Sequence, residues 1–378
     1  LVGFYDELWS GVAVVAAPAV EENHALGHAG YTFWVFALPL LLSALIEAPL
    51  AFCSDRIGRR RVLRTGMFVL GAALMLASLA HRPWLLSLAL ALAGAASGAA
   101  CAAAQGELIA SSALGSARAM SRWSAFAALG DALVPFFVAA FAWFGAGYRA
   151  ALRVLAALVW LQALVSTRSA HEPEDAQDDA DGEHPSLASA ARMLRQRPRL
   201  FLFLLASSLC CLLDEVVVAL AALRFRQDLS QGLAVTAIGS TLIALGSLAG
   251  ALLTDHALTR TSSRRILLIS AVVCLGALAW LAQTTSLPAS LALLTLVGLC
   301  AAPHHALMQA AAYEELPRSP GLVNAALQPF VVIEIAGPIA VGMTAAEAGL
   351  PSALLLLAVQ PLVIALVAST TLSVRPLR

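Results

Sequence analysis

Six carboxylates interrupt long apolar stretches of this 378-residue chain: Asp6, Glu7, Asp131, Asp214, Glu215 and Glu334. A seventh, Glu47, lies eight residues before Asp55, about 12 Å of helix. Ionisable groups inside an apolar span are costly, so each is a candidate for cargo binding or proton transfer. Carboxyls so placed can bind and release protons near neutral pH, which makes coupling of proton movement to cargo movement chemically available. Adjacent residues on a helix point about 100° apart. One member of each pair, Asp6–Glu7 and Asp214–Glu215, is therefore expected to line a cavity and the other to face a neighbouring helix. His304 and His305 follow Pro303, with Cys300 one turn before His304. That arrangement suits hydrogen bonding or proton relay. Joined by Asp214 or Asp6 it would also suit a transition metal, although the sequence carries no dedicated metal cluster and no cofactor motif. Gln105, Gln309 and Gln328 are neutral polar groups that can bind hydroxyls or amides, or join helices.

The elements that hold these groups follow from composition. Hydrophobic residues make up 60% of the chain and charged residues 12%, with a mean hydropathy of +0.83. A soluble domain is about half apolar and about a quarter charged, so a soluble enzyme, a nucleic-acid binder and a disordered protein are excluded. A formal net charge of zero supplies no field for polyanions. A helix of about 20 apolar residues crosses a bilayer. Twelve such stretches are predicted near 1–20, 31–53, 62–80, 84–108, 120–144, 147–167, 199–223, 232–254, 265–283, 287–312, 321–346 and 350–372. Helices rather than strands are expected, because open strands leave backbone groups unpaired in lipid. The chain begins at Leu1 within an apolar run, so the native start is expected upstream. Asp6 and Glu7 interrupt what would be the core of a cleavable signal peptide.

All 23 basic residues are arginine. Eighteen fall on one side if 54–64, 109–122, 168–199, 255–265, 313–320 and the C-terminus share that side. The positive-inside rule makes it cytoplasmic, with both termini. Arg82, Arg149, Arg153, Arg224 and Arg226 are left for the other. Spans one, two, four, five, seven, eight, ten and eleven carry no deep basic residue, which favours a cationic or neutral cargo over an anionic one. Tyr5, Trp9, Tyr31, Phe33 and Trp34 add aromatic surface suited to organic cations or to membrane-interface anchoring. The hydrophilic stretch 168–198 reads as a solvated loop, with Leu187–Leu194 as a short interfacial helix. It divides the chain into bundles 1–167 and 199–378. The six cysteines read as small hydrophobes within the spans.

The halves repeat. Asp6–Glu7 is matched by Asp214–Glu215, Ala51-x-x-x-Asp55 by Ala251-x-x-x-Asp255, Gly94 and Gln105 by Gly298 and Gln309, and Asp131-x-x-x-Pro135 by Glu334-x-x-x-Pro338. The last three are offset by 200, 204 and 203 residues. Such nearly constant spacing marks an internal duplication. Gly94-x-x-x-Gly98 reads as a helix-packing motif.

Ser54-Asp55-Arg56-Ile57-Gly58-Arg59-Arg60-Arg61 resembles the loop signature between spans two and three of the major facilitator superfamily, with Ala51 where that family has Gly. The second copy, Asp255 with Arg260, Arg264 and Arg265, is degenerate. The resemblance covers the whole chain. It implies an all-α membrane protein of twelve transmembrane helices in two pseudo-symmetric six-helix bundles, alternating access to a central cavity. It further implies a conformational latch formed by Asp55, Arg56, Gly58, Arg59, Arg60, Asp255 and Arg264, with Glu107, Glu314 or Glu315 as partners. Drug/proton antiporters of the family carry an arginine four residues before a span-four glycine and a Gly-Pro pair in span five. Here those positions hold Leu90 and Val134-Pro135. The expected function is secondary active transport, proton-coupled, exporting an organic cation or amphipathic small molecule. The alternatives are a neutral metabolite such as a sugar or nucleoside, a divalent metal cation, or a transport-dead receptor. No nucleophile–base motif or P-loop points to an enzyme. The expected partners are the lipid bilayer of a bacterial inner membrane, a small-molecule cargo and protons, with no nucleic acid and a monomeric chain.

Overall fold

In the computed structural model, residues 1–168, 194–230, 233–317 and 320–372 are described. For residues 28, 29, 48, 51–57, 167, 168, 233, 234, 236 and 237 the backbone alone is described. The segment 169–193, which holds most of the expected central loop and its interfacial helix, lies outside the described residues. Every regular element among the described residues is helical, as a chain must be if its backbone groups are to pair within lipid. The helices are α1 (Val2–Val15), α2 (Ala17–His24), α3 (Leu38–Ile57), α4 (Arg59–Leu79), α5 (Pro83–Ser111), α6 (Ser116–Trp143), α7 (Gly147–Arg168), α8 (Pro198–Ser208), α9 (Val217–Gln227), α10 (Leu233–Ala257), α11 (Ser263–Gln283), α12 (Leu287–Glu315), α13 (Pro320–Leu327), α14 (Val331–Ala348), α15 (Leu350–Leu356) and α16 (Val359–Thr371). A single helical turn (His28–Tyr31), two π-helical turns, Thr32–Ala37 and Leu212–Val216, and a 3₁₀ turn, Gln328–Phe330, lie between them.

Among the described residues, ten helices are long and apolar enough to cross a membrane, and they coincide with the expected spans three to twelve. Outward-facing apolar side chains such as Trp143 at 88% and Phe136 at 62% exposure suit lipid rather than water. The first expected span is interrupted at Ala16, where Pro18 opens α2, a position whose N–H needs no partner. The second runs through the first π-turn into α3. Span eleven is two helices, α13 and α14, joined by the 3₁₀ turn Gln328–Phe330 with Pro329 at its centre.

The signature loop between α3 and α4 is a single residue, Gly58, at φ +96°, a conformation that glycine adopts without strain. Arg59, Arg60 and Arg61 therefore lie in the first turn of α4, where the helix dipole disfavours positive charge, and need acidic partners. Three of the arginines left on the other side are also accounted for. Arg149 donates to the Ala80 carbonyl at 3.0 Å, and Arg153 donates to Ser78 Oγ at 3.4 Å, both at the carbonyl end of α4. Arg224, buried, donates to the carbonyls of Leu281 and Thr284 at the corresponding end of α11. Arg149 and Arg224 thereby satisfy helix-end carbonyls that would otherwise lack partners.

The chain forms two compact units. Unit 1 comprises Leu1–Ser111, Leu133–Arg192 and Arg318–Gln328; unit 2 comprises Ser112–Ala132, Met193–Pro317 and Pro329–Arg378. This differs from a single cut at 168–198 in two segments, the first part of α6 and all of α13. In unit 1, α4 buries Met67, Leu70, Ala73 and Leu74 while contacting α5 and α7. In unit 2, one apolar core joins the second π-turn to α9, α11, α12 and α15. Close approach within that unit depends on glycine. A Cβ on Gly246, Gly250 or Gly298 would collide with the carbonyl oxygens of Thr295, Leu299 and Ile243 respectively, so α10 and α12 touch backbone to backbone.

Replacing Gly250 by Ala forces α10 and α12 apart, because a backbone oxygen cannot move alone. A loss of about 1–3 kcal/mol is expected. Gly276, in mid-α11, has open space where a Cβ would stand, with nothing within 4 Å, so Gly276→Ala gains up to ~1 kcal/mol from helix propensity. Thermal melting of the two variants in detergent is expected to move in opposite directions.

Candidate functional site

Each unit carries its own group of acids. In unit 1, Asp6 on α1 accepts a 2.6 Å hydrogen bond from the Ser97 hydroxyl of α5. The Trp9 indole, one turn after Asp6, donates to Asp6 Oδ1 at 3.3 Å and to Ser97 Oγ at 3.2 Å. Cys101, one turn after Ser97, also hydrogen-bonds Asp6. A carboxylate held by a hydroxyl, an indole and a thiol is neutralised by dipoles rather than by a cation. Leu90, which stands where related antiporters carry arginine, lines a small apolar cavity with Trp9, Val12, Val35 and Tyr148.

The glycine motif on α5 does more than pack helices. Gly94 lies under Ser43, and Gly98 lies under the Glu47 carboxylate, whose Cδ would be 2.6 Å from a Cβ at position 98. The missing side chain is the space that Glu47 occupies. The Gln328 amide, in the 3₁₀ break of span eleven, donates to Glu47 Oε2 at 3.0 Å. Glu47 and Asp6 are electrostatic neighbours. Spans one, two, four and eleven thus all contribute polar side chains to unit 1, among them Asp6, Glu47, Ser97 and Gln328.

In unit 2, Asp214 and Glu215 sit in the second π-turn, and both are exposed. Both are thus exposed, whereas the α-helical reading expects one to line a cavity and the other to face a neighbouring helix. A π-turn holds more residues per turn than an α-helix, so consecutive side chains diverge less and both stay open. Asp6 and Glu7, on regular α1, are both half-buried. Asp131 is an electrostatic neighbour of Asp214, and Glu334 of Cys211 beside it. Unit 2 therefore gathers Asp131, Asp214, Glu215 and Glu334. Among the described residues neither Asp214 nor Glu215 forms a salt bridge with a cation.

His304 is fully buried on α12, and its Nδ1 lies 3.4 Å from the Gln360 amide nitrogen. His305 is half-buried, and Gln105 and Gln309 are buried. Among the described residues no three His, Cys, Asp or Glu side chains are grouped to hold a metal ion. Cys101, Cys210, Cys211, Cys274 and Cys300 are free thiols.

At the arginine-rich ends, Arg60 pairs with Glu107 through Nε at 3.1 Å and Nη2 at 3.0 Å, which offsets the unfavourable dipole at the start of α4. The side chains of Asp55 and Arg56 lie outside the described residues. Asp255 is clasped by Arg118 at 2.9 Å and Arg122 at 3.1 Å, two arginines one turn apart on the first part of α6. The Ser121 hydroxyl between them donates to the Ala251 carbonyl at 2.8 Å. Arg264 is not brought to Asp255; it donates to the Ser369 carbonyl at 3.1 Å. Glu314 accepts from the Ser116 hydroxyl at 2.6 Å, and the Glu315 carbonyl accepts from Arg197 at 2.6 Å.

The sequence alone does not single out Ser97, Ser43, Arg118, Arg122 or Gln360. Arg118 and Arg122 had a usable signal, since i, i+4 arginines at a span end share one face. Ser97 lies between Gly94 and Gly98 and is hidden by the packing motif. Gln360 is a lone amide in an apolar run.

Many apolar helices with acids set among them define a polytopic integral membrane protein. The chain belongs to the major facilitator superfamily of membrane transporters, whose family model matches residues 8–333. Its fold is similar to that of FucP, an MFS transporter solved in the outward conformation, at 14% identity and a TM-score of 0.76 over 97% of this chain and 96% of that one. A second structure, described as the E. coli fucose:proton symporter FucP, gives a TM-score of 0.77 at 14% identity over 97% of each chain. The human organic anion transporter MFSD10 gives 0.74 at 17% identity over 97% of this chain and 98% of that one. At these identities the likeness is one of fold. No curated protein matches the sequence.

Asp255→Asn leaves two arginines without their shared partner, in a site where the carboxylate side chain is 21% exposed. A loss of about 1–3 kcal/mol is expected. Glu107→Gln breaks a pair whose side chains are more than a third exposed, so less than about 1 kcal/mol is expected. Thermal melting of the two variants in detergent compares them directly, and the Asp255 variant is expected to melt lower.

Proposed function

We propose that this protein is a proton-coupled secondary transporter that exports an organic cation or amphipathic small molecule by alternating access. One observation carries the reading: Asp214 and Glu215 are adjacent, exposed and without a cationic partner among the described residues. A carboxylate that holds either a proton or a cationic cargo, but not both, makes their movements mutually exclusive. With a proton gradient directed inward, that competition drives cargo outward. In unit 2, Asp131 and Glu334 are further acids near this pair; in unit 1, Asp6, Glu7 and Glu47 are acids of their own group, and Trp9 adds an aromatic face for a cation there. Gln105, Gln309, Gln328, His304 and His305 supply neutral polar contacts. The arrangement of arginines supports cytoplasmic termini, and we place the protein in a bacterial inner membrane. We further propose the arginine-rich ends, with Arg60–Glu107 and Asp255–Arg118–Arg122, as a latch, and a monomeric functional unit.

A second reading, proton symport of a neutral sugar, is favoured by the name of the fucose:proton symporter with the same fold and by the Glu47–Gln328 pair, which offers both an acceptor and an amide to hydroxyl groups. The divalent-metal reading has no ligand cluster behind it among the described residues.

Proteoliposomes separate the two. Vesicles loaded with radiolabelled quaternary ammonium and amphipathic amine compounds are expected to release label when the outside is acidified. Asp214→Asn and Glu215→Gln are expected to slow that release at least tenfold. Uptake of L-fucose or another neutral sugar together with protons, with no acid-driven movement of any cation, overturns the export reading in favour of symport.

A further inference from the structure

We propose that Gln360, on α16, is a positioning residue that holds open the π-turn presenting Asp214 and Glu215. The proposal rests on the reading of those two acids as coupling groups. The turn is closed by the wide bond from the Val217 amide to the Leu212 carbonyl. Upstream, the helix is broken at Leu209 and Cys210. The Leu213 amide reaches back three residues, to the Cys210 carbonyl at 3.1 Å. It also donates to Gln360 Oε1 at 3.0 Å. Gln360 is fully buried, so this second bond from the Leu213 N–H is made away from water, where a hydrogen bond is electrostatically stronger.

The direction of the Gln360 amide follows from its partner. A backbone N–H can only donate, so the side-chain oxygen faces Leu213 and the NH2 group faces away. That NH2 group lies 3.4 Å from His304 Nδ1. His304 thus accepts at Nδ1 and carries its ring proton on Nε2. One amide therefore ties three segments of unit 2 together: the π-turn, α12 and α16. An apolar residue at 360 could not do this, and Asn, one methylene shorter, could not span from Leu213 to His304. If the π-turn relaxes to regular helix, one residue leaves the turn. The side chains on either side then rotate by about 100° relative to each other. That rotation would carry Asp214 and Glu215 into different surroundings.

The test reads geometry directly in the full-length chain. A water-soluble carbodiimide with a glycine ester labels accessible carboxyls, and peptide mass spectrometry quantifies Asp214 and Glu215 against exposed Glu314. The parent protein is expected to label at both acids. Gln360→Leu is expected to change the Asp214:Glu215 labelling ratio at least fivefold. Gln360→Glu is expected to restore it within twofold, because a neutral Glu both accepts from Leu213 and donates to His304. If Gln360→Leu does not give folded protein, Gln360→Asn carries the same expectation. A ratio unchanged within twofold in a folded Leu or Asn variant overturns the proposal, as does a Glu variant that behaves like Leu. Failure here while Asp214→Asn still abolishes acid-driven transport rejects the positioning role and leaves the coupling reading standing. A positive labelling result with no transport defect in Asp214→Asn does the reverse.

Discussion

An ionised group in an apolar medium must find partners or change its state, and this constraint accounts for where many charged side chains among the described residues sit. Most arginines gather at one set of helix ends. Three on the other side, Arg149, Arg153 and Arg224, bond to groups at the carbonyl ends of α4 and α11. Arg149 and Arg224 reach carbonyls that lack intrahelical partners, and Arg153 reaches the Ser78 hydroxyl. The acids along the spans follow a different rule. They are held by hydroxyl, indole, thiol and amide dipoles, as at Asp6 and Glu47, or left open, as at Asp214 and Glu215. A transport path needs acids that are not locked into ion pairs, because a locked acid cannot exchange a proton or a cargo.

The duplicated halves use one packing device for two purposes. The fourth and tenth spans meet the second and eighth through glycine. In unit 2 the contact is backbone on backbone, with Ser247 donating to the Gly298 carbonyl at 3.3 Å. In unit 1 the position equivalent to Ser247 is Glu47, and Gly98 leaves the space that its carboxylate fills. The duplication thus preserved the helix contact and changed the chemistry on it.

Two of the irregular turns carry polar side chains. The π-turn at Leu212–Val216 carries an adjacent pair of acids, and the 3₁₀ turn at Gln328–Phe330 carries the amide that reaches Glu47. Pro329 supplies a break that lacks a donor, so the turn leaves fewer unmatched groups than an ordinary kink would. Gln360 matches the Leu213 amide in the π-turn. In lipid such irregularities persist only where side chains complete the hydrogen bonding.

The membrane-spanning helices, the two related halves, the family signature and the acidic spans were all legible in the sequence. Hydrophobic length, charge placement and a repeated register are one-dimensional properties that survive without knowledge of packing. Gly94-x-x-x-Gly98 was legible as a packing motif, but not as the seat of Glu47. The tertiary structure decided which side chains meet: Ser97 with Asp6, Gln328 with Glu47, Arg118 and Arg122 with Asp255, and Gln360 with the turn before Asp214. It also decided that Asp214 and Glu215 share one exposure, against the α-helical expectation. The reason is that a π-turn and a contact between spans far apart in the chain depend on bonds between distant residues. Apolar periodicity reports which segments are buried in lipid. It says nothing of which lone polar groups complete one another inside it.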